Sequence, residues 1–265
     1  MAASAGHRLM PRRACHFLAV TALAIALCVL AILPSIPPDR QRAFPTGTIR
    51  IGVDASYPPF ALDADGELRG LDIDLAAAVA REIGLPVQYR NLSFYGLYDA
   101  LISGEVDVLV SALPIDAARM DDARYSSAYF NNGLVLVAAD GAAAVDVKNL
   151  AGKRIAIEYA SSTDSILHTW QADAGTIQRL PYELPDYALD ALRLGQADAA
   201  LVDNVSYRLY QRGRRGWVST SQFITVDPYA IALRRDNHDA WQLVEAALEQ
   251  LRANGELARL IANWL

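Results

Sequence analysis

The chain has almost no cysteine and little histidine. Its 265 residues include two cysteines, four histidines and three methionines. Cys15 and Cys28 both lie near the N-terminus, so whatever folds beyond them has no disulfide, no thiol chemistry and no cysteine-held metal. His7 and His16 share that segment, while His168 and His238 stand far apart on stretches of helical pattern. No Ser-His-Asp set, metal-ligand spacing or phosphate-binding loop is present. An excess of positive charge is missing too. Residues 1–42 hold five arginines and one aspartate, so the remainder carries 19 basic and 29 acidic side chains. A net charge of −10 lacks the basic footprint that nucleic-acid binding needs.

The one long uncharged run, Phe17 to Leu33, is preceded by Arg8, Arg12 and Arg13 and broken by Pro34, Pro37 and Pro38. A basic start and an apolar run form an export signal. The run is long for a cleaved leader and short for a membrane span. Ordinary cleavage near Ala43, an uncleaved anchor, and lipidation at Cys28 after Ile25-Ala26-Leu27 remain open, although Leu27 is bulky for a lipoprotein box. The arginine side stays cytoplasmic and the rest is exported to the periplasm.

Hydrophobic residues make up 53% of the chain, enough for a sizeable core. One phrase occurs twice. Asp99-Ala100-Leu101-x-x-Gly104-x-x-Asp107 precedes Val108-Leu109-Val110, and Asp190-Ala191-Leu192-x-x-Gly195-x-x-Asp198 precedes Ala199-Ala200-Leu201-Val202. Each reads as a helix end, a closing glycine and a buried strand, delivering Ser111 in one copy and Asp203 in the other. Around the first copy, strand Thr48–Val53, a helix with Asp72 as N-cap that ends at Gly84, and strand Pro86–Arg90 form a βαβ unit. Strand Arg154–Ile157 and a helix from Ser161 restart the order. Asn237 to Leu265 reads as two amphipathic helices separated by Gly255.

The expected fold is therefore α/β with two lobes. Residues 1–43 form the signal peptide or anchor, 44–131 plus 230–265 form lobe 1, and 132–229 form lobe 2. A C-terminal return to lobe 1 needs two crossing strands, with Leu134–Ala138 and Ala230–Leu233 as candidates. Two crossings make a hinge, as in ligand-driven closure. Ligands of open α/β sheets sit beyond the carboxyl ends of the strands, so the cleft between lobes is the expected site.

Eight phrases in order resemble the family 3 extracellular solute-binding proteins, the amino-acid receptors of ABC importers. They are Ile51-Gly52-Val53-Asp54-x-x-Tyr57-Pro58-Pro59-Phe60, Gly70-Leu71-Asp72-Ile73-Asp74-Leu75, Ala100-Leu101-x-x-Gly104-x-x-Asp107, Leu113-x-Ile115-x-x-x-Arg119, Tyr125-Ser126-x-x-Tyr129-Phe130, Leu150-x-Gly152-Lys153-Arg154-Ile155, Tyr229-Ala230-Ile231-Ala232-Leu233-Arg234 and Gly255-Glu256-Leu257 running to Trp264. The resemblance implies a periplasmic-binding-protein-like fold, a small polar ligand, the membrane subunits of an ABC transporter as partner, and no cofactor or metal.

It also implies site residues. Arg119 takes a ligand carboxylate, which a guanidinium can do bidentately. Asp203 accepts the ammonium, and its alternative role is a helix N-cap. Asp54 shares the ammonium or caps the Tyr57 loop. Tyr57 and Phe94 sandwich the ligand side chain, while Phe60 anchors the loop in the core. Ser111 offers a hydroxyl from the first repeat. Ser161, Ser162 and Thr163 begin a lobe 2 helix whose N-terminus can close over the carboxylate. The chain departs from the family pattern at Leu71, Ala112, Pro114 and Asp116. Pro114 has no N–H to give, and Asp116 places a negative charge beside Arg119, where it can pair with the guanidinium. The changes at Ala112, Pro114 and Asp116 fall in the carboxylate pocket and fit a cationic or amine-bearing ligand, or a weak receptor, better than a standard α-amino acid.

A binding protein is expected rather than an enzyme. A sensor domain held at the membrane by the N-terminal segment is one alternative. A cyclohexadienyl-dehydratase-like enzyme is another, with Glu158 or Asp203 as proton donor.

Overall fold

The computed structural model describes residues 38–140, 150–174, 176–214 and 216–265. The apolar run and both cysteines lie outside the described residues. No helix among the described residues is long and apolar enough to cross a membrane.

The first lobe opens with helix α1 (Arg40–Ala43), capped by the Asp39 carboxylate. Ala43 and Phe44 are buried, and the Asn237 amide donates to the Ala43 carbonyl. The folded lobe thus takes in residues upstream of the expected limit at residue 44. Strands β1 (Ile49–Val53), β2 (Ser56–Tyr57), β3 (Ala61–Ala64) and β4 (Glu67–Arg69) follow, the last two turning at Asp65-Gly66. Next come α2 (Leu71–Ile83), β5 (Val87–Asn91), α3 (Leu97–Ile102), β6 (Val108–Leu109), β7 (Ala123–Tyr125) and β8 (Phe130–Asn131). The second lobe contains β9 (Leu134–Ala139), β10 (Arg154–Glu158), α4 (Ser162–Ala174), β11 (Gln178–Tyr182), α5 (Pro185–Arg193), β12 (Ala199–Asp203), α6 (Asn204–Gly213) and β13 (Ser219–Phe223). The chain returns through β14 (Pro228–Tyr229) and β15 (Ala232–Arg234) to α7 (His238–Ala253) and α8 (Glu256–Trp264).

The lobes repeat one topology. The first sheet runs β5-β1-β6-β15-β7 and the second β11-β10-β12-β9-β13. In each, the first three strands are parallel and the fourth is antiparallel to its neighbours. Both faces are covered. Val108 and Val110 point to a core with α2, α7 and α8, while Leu109 packs with Leu97 and Leu101 of α3. Lobe 2 alternates likewise, with Ala200 and Val202 toward Leu189, Leu192 and Tyr207, and Ala199 and Leu201 toward Leu167 of α4. Alternation across a pleated strand makes this sandwich from a short apolar run.

The repeated phrase has a physical purpose. Arg50 donates its backbone N–H to Asp107 at 2.9 Å, its Nε to the same carboxylate at 3.0 Å, and a terminal nitrogen to the Gly104 carbonyl at 2.7 Å. Arg154 does the same in lobe 2, with its N–H on Asp198 at 2.8 Å and its guanidinium on Asp198 and the Gly195 carbonyl. The glycine takes a left-handed backbone, φ 76° at Gly104 and 71° at Gly195, and closes the preceding helix. The aspartate then clamps the next strand to the first.

The hinge is shorter than the sequence suggests. Phe130 pairs with Tyr229 and Asn131 with Pro228, an isolated two-stranded ribbon. The expected crossings, Leu134–Ala138 and Ala230–Leu233, fall one step further on, inside the two sheets. Their apolar runs mark sheet centres, whereas the crossings are only two residues each. Gly133 leaves the ribbon beside the Thr225 carbonyl, which a Cβ would meet at 2.0 Å, so the backbones can approach only at glycine.

Candidate functional site

A cavity of about 370 Å³ opens at the carboxyl ends of β1 and β6, lined by Asp54, Ser56, Tyr57, Phe94, Ser111, Ala112, Pro114, Asp227 and Tyr229. Its volume lies in the range of small-molecule sites. Two larger grooves, of about 580 and 570 Å³, run past Arg235 and share no lining residue with it.

Local structure sets the floor. Asp54 ends β1, and its carboxylate accepts the Ser56 N–H at 3.0 Å, while its own N–H donates to Ser111 Oγ at 3.0 Å. Asp54 therefore caps the Tyr57 loop and still borders the cavity. The Tyr57 ring stacks on buried Phe60, with centroids 5.5 Å apart, and Phe60 meets Phe130 and Tyr229 edge-on. Phe94 stands about half-exposed at the start of a 3-10 turn on the cavity rim. The Tyr57 and Tyr229 hydroxyls both border the cavity, and each bears on the other's ionisation. Burial raises the Tyr57 pKa most, with added pushes from the charges of Asp203, Asp227 and Asp72.

Asp72 is not an N-cap. Helix α2 starts at Leu71 behind Gly70, and the Asp72 carboxylate turns inward. It accepts the Tyr129 hydroxyl and the Ala112 N–H, both at 2.7 Å. Ala112 holds a left-handed φ of 44°, and this bond fixes that backbone beneath the cavity. Burial pushes the Asp72 pKa up to about 7, against the opposing pull of the two donors. In an unfolded chain the same carboxyl ionises near pH ~4. Between those values the folded state holds more protons than the unfolded one, so this group lowers stability as pH rises through the window. Asp72→Asn is expected to remove that slope, since an amide can accept from Ala112 and donate to the Tyr129 oxygen. Urea midpoints at about pH 5 and about pH 8 check it. The variant should lose less stability between the two than the parent, and an equal loss overturns the assignment.

The other sequence-derived residues are placed elsewhere. Arg119 lies exposed on the 117–119 turn, with its guanidinium 4.8 Å from the Tyr98 ring centroid. Asp116 does not pair with it. Its carboxylate accepts the Ala118 N–H at 2.8 Å and caps the turn, a local bond that needs no cation. Pro114 bridges to Tyr229, and the ladder there uses the Leu113 carbonyl and the Ile115 N–H, so the missing proline donor leaves no gap.

On lobe 2, Asp203 ends β12 and caps α6, accepting the Ser206 N–H at 2.9 Å and the Ser206 hydroxyl at 2.5 Å. Ser161 Oγ donates to the Glu158 carbonyl at 2.7 Å and meets Thr163 Oγ1 at 2.6 Å, with exposed Ser162 between them. Burial raises the Glu158 pKa, and the neighbouring Asp203 charge adds to it. No group of histidine, cysteine or carboxylate side chains among the described residues suits a metal ion.

Sequence reasoning missed Asp227 and Tyr229 as site residues. They flank Pro228 on the return crossing, and their place beside the cavity depends on pairing with residues about a hundred positions earlier. Asn132 ties the same corner together: its amide donates to the Tyr229 hydroxyl at 2.9 Å and accepts the Val205 N–H of α6 at 3.0 Å.

Residues 49–265 match the model of the bacterial extracellular solute-binding proteins, family 3. The chain belongs to that family. Among relatives of this solute-binding protein, the L-arginine-binding protein of Pseudomonas aeruginosa is 28% identical over 247 residues, covering 89% of this chain and 92% of its own. The L-cystine-binding protein TcyJ of Escherichia coli K12 is 24% identical, covering 82% of each. Among solved structures, the unliganded open L-cystine solute receptor of Neisseria gonorrhoeae matches at TM-score 0.74 and 22% identity, over 84% of this chain and 95% of that one. The fold is thus the two-lobe fold of solute-binding proteins, with the cavity at the strand ends of lobe 1 and against the hinge.

Proposed function

We propose that this solute-binding protein captures an amino acid or related amine in its cleft and presents the closed form to the membrane subunits of an ABC importer. The observation that carries the reading is the cavity itself. It joins carboxylates (Asp54, Asp227), hydroxyls (Ser111, Tyr229) and aromatic faces (Tyr57, Phe94) at the carboxyl ends of the strands, beside the hinge. An amino acid offers a partner to each kind of group. Capture needs contacts from both lobes that exist only when they meet. In this reading Asp203 meets the ammonium from lobe 2. The carboxylate lies between Arg119, swung off the Tyr98 ring, and the α4 N-terminus at Ser161, Ser162 and Thr163. The arginine- and cystine-binding relatives supply the first ligands to try. Export, with the N-terminal segment as leader or anchor, belongs to the same reading, as does a purely binding role.

The test is a thermal-shift screen of the full-length protein with amino acids and amines at millimolar concentration. A ligand present at a hundred times its Kd stabilises the folded state by about 2.7 kcal/mol, so a true ligand gives a plain shift. We expect one ligand class to respond and Arg119→Ala to lose the response. A flat result across the set overturns the reading.

Glu158 beside Asp203, with its carboxyl pKa raised, supports a second reading as a dehydratase on this fold. Turnover of prephenate by the purified protein would favour it.

A further inference from the structure

Asp227 is the least explained group in the cavity. Asp54, which lines the cavity with it, accepts the Ser56 N–H; nearby, Asp203 accepts Ser206 and Asp72 accepts Tyr129 and Ala112, while the Glu158 carboxylate, also without a hydrogen bond among the described residues, stands at the end of β10 and does not line the cavity. The Asp227 backbone is fully used, its N–H donating to Asn131 Oδ1 and its carbonyl accepting from Asn132, both at 2.8 Å. These bonds fix the residue at the start of the return crossing. Its carboxylate, half-buried, has no hydrogen bond or ion pair among the described residues. Burial alone raises its pKa, with no donor opposing. Asp227 lines the same cavity as Tyr57 and Tyr229, and its charge raises the pKa of both hydroxyls. No lysine or arginine lines that cavity.

We infer that Asp227 is a specificity-determining residue that selects a ligand carrying a second positive charge: a cationic amino acid, whose side-chain cation seats against this carboxylate. The inference rests on the amino-acid-capture reading above and deepens it. A half-buried carboxylate without a partner is unfavourable in the empty protein, and a ligand cation relieves that cost. A neutral side chain leaves it in place and covers it further. The α-ammonium does not need Asp227, because Asp203 and Asp54 can both accept it. The flat faces of Tyr57 and Phe94 suit the alkyl stem of such a side chain and add cation–π attraction near its head.

The experiment is isothermal titration of the full-length protein with L-arginine, L-lysine, L-glutamine and putrescine, repeated on Asp227→Asn. The wild type is expected to bind arginine or lysine at least tenfold more tightly than glutamine. Asp227→Asn should lose tenfold or more for the cationic ligand and stay within about twofold for glutamine. The asparagine keeps the backbone bonds that place residue 227 and removes no side-chain hydrogen bond, so the variant should melt close to the parent. Equal affinity for arginine and glutamine in the wild type overturns the inference and leaves amino-acid capture standing. So does an arginine preference that survives Asp227→Asn. Putrescine binding as tightly as arginine, with the same dependence on residue 227, supports the cation subsite but overturns the amino-acid identity of the ligand. Binding of none of the four overturns the inference, and the wider thermal-shift screen then decides the reading beneath it.

Discussion

Asp203→Ala is expected to weaken ligand binding about a hundredfold or more, and Asp203→Asn to do nearly the same at no cost in stability. The two variants separate the roles that meet at this residue. In the ligand-free protein the carboxylate caps α6 through the Ser206 N–H and hydroxyl. Alanine removes that cap and should cost about 1 kcal/mol of stability. Asparagine caps a helix about as well as aspartate, since its side-chain oxygen still accepts the backbone N–H and its amide can donate to the serine oxygen. It cannot offer a charge to an ammonium. Removing one member of a desolvated charge pair costs about 2–5 kcal/mol of binding, the origin of the hundredfold figure. Calorimetry paired with thermal melts reads both effects. If asparagine binds ligand as well as the parent, Asp203 is only a cap, and the ammonium is held on lobe 1.

The second large effect concerns the clamps. Asp107→Ala is expected to destabilise the protein by about 2 kcal/mol, and Asp198→Ala by less, although the two occupy the same place in the repeat. Asp107 is 9% exposed and Arg50 26%, against 33% for Asp198 and 39% for Arg154. In lobe 1 the substitution leaves the Arg50 backbone N–H without an acceptor and its guanidinium with the Gly104 carbonyl alone, in a place water reaches poorly. In lobe 2 water can take the vacated sites, and an exposed pair contributes little. Urea unfolding of the two variants decides the matter. Equal losses would mean that burial does not set the strength of the clamp, and that closure of the helix by the glycine carries the motif.

This asymmetry also bears on how much a sequence shows. The repeat, its helices and its buried strands are legible because each depends on neighbours within a dozen positions. The apolar alternation of Val108-Leu109-Val110, the glycine after each helix and the acid after the glycine are local signals. Asp54 and Ser111 stand at or just beyond strand ends and border the cavity for that reason, whereas Tyr57 and Phe94, which border it too, were marked only by the family resemblance. What misled was local signal put to distant use. Asp72 has the look of a cap at the head of a helix, yet its carboxylate reaches Ala112 and Tyr129. Asp116 looks like a rival for Arg119 and instead closes its own turn.

The amino-acid sequence by itself determined a two-lobe α/β body joined by a double crossing, because short-range periodicity and glycine placement suffice to order strands and helices. Only the tertiary structure decided where the crossings lie, and that of the two carboxylates lining the cavity Asp54 is occupied and Asp227 is not. Phe130–Asn131 and Pro228–Tyr229 become a hinge only when they pair across the whole of lobe 2. Asp227 enters the cavity only through that pairing. Whether a carboxylate is available to a ligand depends on the donors that surround it in space, and those donors come from segments whose distance along the chain carries no trace of their contact.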